Sequence, residues 1–237
     1  MNIQGLLERL NERSTSIQAD IAYLLGAAER FTTSGDNRSA SQIYECILGF
    51  DESRYDVRTK YAVFLANTSR TDEAIVELEI AKCFAPVDAQ APIDHELVQI
   101  YCNAGQYDRL LPLADRIIDS PWLTEYGFGA SGQVRNHTTF LRGIAHMKMG
   151  DYYKAFGDFT SLIPNFRLPA DLPGGIVQEN AAAYALACIK AGPDINFDTI
   201  SGNDELIRVF EQRFPAVSMY SGFLTQLPPP PTVHEFF

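Results

Sequence analysis

Basic residues are few in this chain. Its 237 residues carry 19 Lys and Arg against 30 Asp and Glu, a formal net charge of −11. Proteins that grip phosphates concentrate Lys and Arg, so this balance speaks against nucleic-acid binding and against docking on anionic membranes. Long apolar runs are missing too; none approaches the roughly 18 residues that cross a bilayer. Residues Met1 to Arg13 lack the charged, apolar and small-residue order of an export signal, so a cytoplasmic location is expected. Without export, the sequons at Asn37, Asn67 and Asn136 carry no weight. Cysteine is sparse: Cys46, Cys83, Cys102 and Cys188 each lie in an apolar helical pattern, and none belongs to a C-x-x-C pair. Buried free thiols in a reducing compartment are the expectation.

Signatures of catalysis are also lacking. His95, His137, His146 and His234 show no metal-ligand spacing, and His146 occupies an apolar helical position that predicts a packed core residue. No Gly-x-Ser-x-Gly elbow, phosphate loop or Gly-x-Gly-x-x-Gly follows a strand-like run. Asp151 reads as a turn residue. No catalytic residue, metal or cofactor is therefore assigned.

What the chain does have is an apolar content of 46% with 21% charged residues, the balance of a folded globular protein. It also repeats. Ala28 recurs as Ala62, Ala40 as Ala74, Tyr44 as Leu78, and Glu52 aligns with Pro86. The spacing is that of a helix–turn–helix repeat. Within a unit the apolar residues fall at helical spacing, as in Ile21, Leu24, Leu25, Ala28 and Phe31. Polar breaks such as Thr32 to Arg38 follow. Gly105-Gln106-Tyr107 and Gly150-Asp151-Tyr152 each close one helix and open the next. The extra residues between later units fall in Ser120 to Arg135 and in Pro164 to Gly175.

The run from Leu141 to Phe159 resembles the tetratricopeptide family. Gly143 stands at the small position of the first helix, Gly150 to Tyr152 at the turn, Ala155 at the small position of the second helix, and Phe159 at the aromatic after it. The second unit matches through Tyr61, Ala62, Ala74, Leu78, Ala81 and Pro86. The first and third depart at Ile47, Val98 and Leu110. The resemblance implies an all-α, right-handed solenoid of repeats at about 21–54, 55–88, 91–124 and 136–169, with a partial fifth at 177–191. One domain then spans residues 1–215. Solenoid ends need covers. Ile3, Leu6, Leu7 and Leu10 suit a front cap, and 203–214, with Leu206, Ile207, Phe210 and Phe214, suits a rear one. Residues 216–237, containing Pro228 to Pro231 and ending in Phe236 and Phe237, form a Pro-rich tail.

In that family the first helices line a concave groove that takes partner segments. Carried onto this chain, the groove comprises Thr59, Lys60, Val63 and Asn67, then His95, Gln99 and Asn103, then His137, Phe140, Leu141, Ile144 and Lys148. Glu29 and Thr33 stand before these, and Glu179, Ala183 and Lys190 after them. Asn, Gln and Lys would pair with an extended backbone or a carboxylate, beside an apolar pocket of Phe140, Leu141 and Ile144. The carboxylate clamp of co-chaperones in this family is absent, since Leu25 and Glu29, Thr59 and Val63, and His95 and Gln99 stand in its place. Trp122, Tyr126 and Phe128, in the insert between repeats three and four, form a second candidate partner contact. The expected function is an adaptor or scaffold for a peptide or protein partner. The alternatives are a self-assembling subunit, hence a homo-oligomer, and a small-ligand binder or enzyme with 120–135 as its lid.

Overall fold

The computed structural model describes residues 17–120, 130–163, 176–192 and 203–213. Among them there are ten helices and no strand. We number them α1 (Ile17–Thr33), α2 (Asn37–Phe50), α3 (Tyr55–Asn67), α4 (Thr71–Phe84), α5 (Val87–Asn103), α6 (Tyr107–Ile118), α7 (Ala130–Lys148), α8 (Tyr152–Ser161), α9 (Ile176–Ala191) and α10 (Asn203–Arg213). The chain forms two compact units, Met1–Ile100 and Tyr101–Phe237, and the division falls within α5.

Four helices end in the same way. A backbone N–H reaches back five residues to a carbonyl: Asp36 to Phe31 at 2.9 Å, Arg70 to Leu65 at 2.9 Å, Gln106 to Tyr101 at 2.8 Å and Asp151 to His146 at 2.9 Å. The residue before each donor has positive φ: Gly35 (79°), Ser69 (64°), Gly105 (68°) and Gly150 (84°). This closure satisfies the last carbonyls of the helix and needs a left-handed residue, a conformation that glycine adopts freely. Ser69 holds it against its own Cβ. Asp36 and Asp151 then cap the following helices, accepting from the backbone N–H of Ser39 (3.1 Å) and Lys154 (3.4 Å). Asp151 is thus the turn residue its position predicts.

These left-handed residues set a common register. Seven positions earlier stand Ala28, Ala62, Val98 and Gly143; five later, Ala40, Ala74, Leu110 and Ala155; nine later, Tyr44, Leu78, Ala114 and Phe159. All are buried. Packing runs between neighbours within each unit. In the first, α1 packs on α2, α2 on α3 and α3 on α4; in the second, α6 packs on α7, α7 on α8, α8 on α9 and α9 on α10. This arrangement is consistent with an all-α repeat.

The two cores are built from different side chains. In the first unit, Leu24, Ile43, Ile47, Leu65, Leu78 and Leu97 are fully buried, and Tyr44 stacks on Tyr61 with centroids 5.1 Å apart. In the second, Phe140, Phe156, Phe159 and Phe210 dominate. Phe156 meets Phe210 edge-on at 6.1 Å, which brings α10 onto α8. The front cap of Ile3, Leu6, Leu7 and Leu10 lies outside the described residues, as do 216–237 and Trp122, Tyr126 and Phe128.

Gly143 shows how closely two helices approach. A Cβ built there would lie 2.8 Å from Cε1 and 2.9 Å from Cζ of Phe159. Alanine favours a helix interior by about 1 kcal/mol over glycine, but a buried aromatic ring cannot yield that space cheaply. Gly143→Ala should therefore destabilise the protein by about 1–2 kcal/mol in urea unfolding, the usual cost of overpacking. Adding Phe159→Leu should recover much of that loss. A single substitution that raises stability would show that α7 and α8 have room between them.

Two polar struts sit at matching register. Glu45, on α2, accepts from Tyr61 of α3 at 2.9 Å, and Ser41 adds a 2.8 Å bond to the same tyrosine hydroxyl. In the second unit Asp115 of α6 takes the place of Glu45, and Arg142 of α7 that of Tyr61. Arg142 reaches Asp115 at 2.7 Å and holds Asp158 of α8 by two bonds of 2.6 and 3.1 Å.

Several boundaries depart from the sequence reading. The first helix starts at Ile17 instead of 21, and the third unit opens at Val87 instead of 91. The reason for the latter is Pro86, which holds Ala85 extended (φ −72°, ψ 135°), ends α4 at Phe84 and lets α5 begin at once. In the fourth unit α7 starts at Ala130, so the last residues of the expected insert are helical. The thiols are free, but only Cys188 is buried; Cys46 and Cys102 are half-buried and Cys83 is exposed on the outward face of α4. His146 is half-buried at the end of α7, where burial lowers its pKa, and is not a core residue.

Candidate partner-binding face

The candidate groove residues divide between the two units, and each set stands by itself. In the first unit α3 carries Thr59, Val63 and Asn67 one helical turn apart, with Lys60 beside them. Lys60 and Asn67 are exposed, while Thr59 and Val63 are half-buried. The opposite side of α3, with Val57, Tyr61, Ala62 and Leu65, is core. Thr59 returns its hydroxyl to the carbonyl of Tyr55 at 2.8 Å and Thr33 does the same to Glu29 at 2.9 Å, so neither hydroxyl hydrogen is free. Lys60 reaches Glu29 of α1 at 3.4 Å, an exposed pair worth little in stability but enough to orient both heads.

On α5 the expected face includes His95 and Gln99 but not Glu96, which lies beside them. His95 is 4% exposed and Gln99 is half-buried. The Gln99 amide nitrogen lies 3.2 Å from a carboxylate oxygen of Glu96 and 3.4 Å from Nδ1 of His95. Burial raises the Glu96 carboxyl above its ordinary pKa. The register could have found Glu96, because it stands nine positions before Gly105, as Lys60 stands before Ser69.

In the second unit the picture differs. Asn103 and Lys148 are exposed, but His137, Phe140, Leu141 and Ile144 are buried. Phe140 meets Phe159 edge-on at 5.2 Å and Tyr184 of α9 at 5.0 Å. The open apolar pocket expected from Phe140, Leu141 and Ile144 is therefore core. Tyr184 covers the side of α7 expected to face a partner. Ala183 is likewise buried, and Lys190 is exposed, 3.7 Å from Glu211 of α10. The side chain of Glu179 lies outside the described residues.

Among the described residues no group of His, Cys, Asp and Glu could hold a metal ion, and no helix is long and apolar enough to cross a membrane. Compared with known proteins, the sequence matches no family model, and no curated protein matches it.

Proposed function

We propose that the chain is a cytoplasmic adaptor of the tetratricopeptide type, a right-handed solenoid that holds a segment of another protein on the face of its first helices. The observation that carries this reading is the α3 stripe. A helix whose other side is fully packed presents Thr59, Lys60, Val63 and Asn67 together, and the Asn67 amide makes no hydrogen bond within the described residues. An amide so placed offers both a donor and an acceptor, the pair that an extended backbone needs. Contacts presented on an already folded helix lower the ordering cost of binding. No chemistry beyond recognition is assigned.

Lys60→Glu with Asn67→Ala tests this. Both side chains are exposed, so the double variant should unfold within about 0.5 kcal/mol of the wild type. Affinity capture from native extract, read by mass spectrometry, should lose the partners that the wild type enriches. A double variant that keeps them all retires this face.

A further inference from the structure

We infer that Glu96 receives a cationic side chain, Lys or Arg, from the segment bound on the first unit; the inference rests on the binding role proposed for that face. Six positions before Gly35 stands Glu29, and nine before Ser69 stands Lys60; these two form an ion pair at 3.4 Å. One repeat on, the same two positions are Val63 and Glu96. The place that holds a charge partner in the first case holds an apolar residue in the second.

Among the described residues the carboxylate has a single partner, the Gln99 amide at 3.2 Å. Among the described residues no Lys, Arg or His lies within ion-pair reach of it. Three bases of that unit are engaged elsewhere: Lys60 with Glu29, Lys82 with Asp94 at 2.6 Å, and Arg58 with Glu77 at 2.6 Å. Glu96 is half-buried, so part of its side chain stays open to an incoming group. A cation brought there restores the missing charge. A guanidinium could take both carboxylate oxygens at once.

The probes are a blocked pentapeptide with arginine between alanines and its twin with citrulline, which keeps the shape and drops the charge. Each is titrated into the full chain and followed by NMR at the Gln99 side-chain amide and at Val63 and Asn67. The arginine peptide should move the Gln99 amide saturably, and binding should weaken about tenfold both with citrulline and in Glu96→Gln. Asp88→Asn removes one exposed acid elsewhere and should change nothing, which separates a local contact from attraction to an acidic protein. If both peptides move Val63 and Asn67 equally, the cation inference fails and the adaptor reading stands. Equal losses in Glu96→Gln and Asp88→Asn also overturn it. So does a Gln99 amide that neither peptide moves; the capture experiment then decides the adaptor reading separately.

Discussion

Phe140→Ala should cost about 3–5 kcal/mol, the range for removing a fully buried ring. The ring is 0% exposed, edge-on to Phe159 and to Tyr184, so its loss leaves a cavity lined by two aromatics that their own helices hold in place. Collapse into that space would require α8 and α9 to move together, which argues for the upper part of the range. Native-state hydrogen exchange would locate the damage: amides of α7, α8 and α9 should lose protection. Lys60→Ala, on the exposed α3 stripe, should leave stability within about 0.5 kcal/mol. The contrast separates a core residue from a contact residue. A Phe140→Ala protein destabilised by less than about 1 kcal/mol would mean that the ring is accessible after all, and would return it to the binding face.

Arg142→Met should be nearly as damaging at neutral pH, by about 3 kcal/mol or more, because it strands a buried carboxylate. Asp158 is 7% exposed and receives two bonds from Arg142. Burial already raises its pKa, and the hydrogen bonds and charge of Arg142 oppose that rise. A carboxyl with a raised folded pKa favours the folded state when protonated, below its unfolded value, and loses that contribution as pH climbs through the folded value. Removing Arg142 lifts the folded pKa further and widens the window. The stability deficit of the variant, followed by urea unfolding across pH, should therefore shrink on acidification toward about pH 4, near the ordinary aspartate value. A deficit that stays constant with pH would assign the loss to packing of the arginine stem. Methionine keeps most of that stem, so the charge effect should dominate.

The turns were the most legible part of the chain. Gly105 and Gly150 mark helix ends in the sequence because a left-handed residue is needed there, and the structure gives both positive φ. The second turn was harder to see, since Ser69 takes the glycine's place and only the spacing from Ala62 to Ala74 shows where the helix must close. The last helix, α10, was legible through Phe210, an apolar residue whose mates Leu206 and Ile207 share its periodicity. Of the candidate site, the α3 stripe was legible because one side of that helix is core and the other is not. The corresponding stretch of α7 was not. His137, Thr138, Thr139, Phe140 and Leu141 are buried in succession, a run that a one-sided helix cannot produce.

By itself, the sequence determined that this is a helical chain, where its helices turn, and which small residues lie between them. Those are local matters of backbone conformation and of a repeat short enough to count. Only the tertiary structure decided which helices have two packed sides, that Tyr184 closes over Phe140, that Arg142 ties three helices together, and that Glu96 lacks, among the described residues, the counter-charge Lys60 finds in Glu29. Periodicity reports that a side chain has a place to be buried. Which neighbour fills that place, from residues far along the chain, is settled when the helices pack.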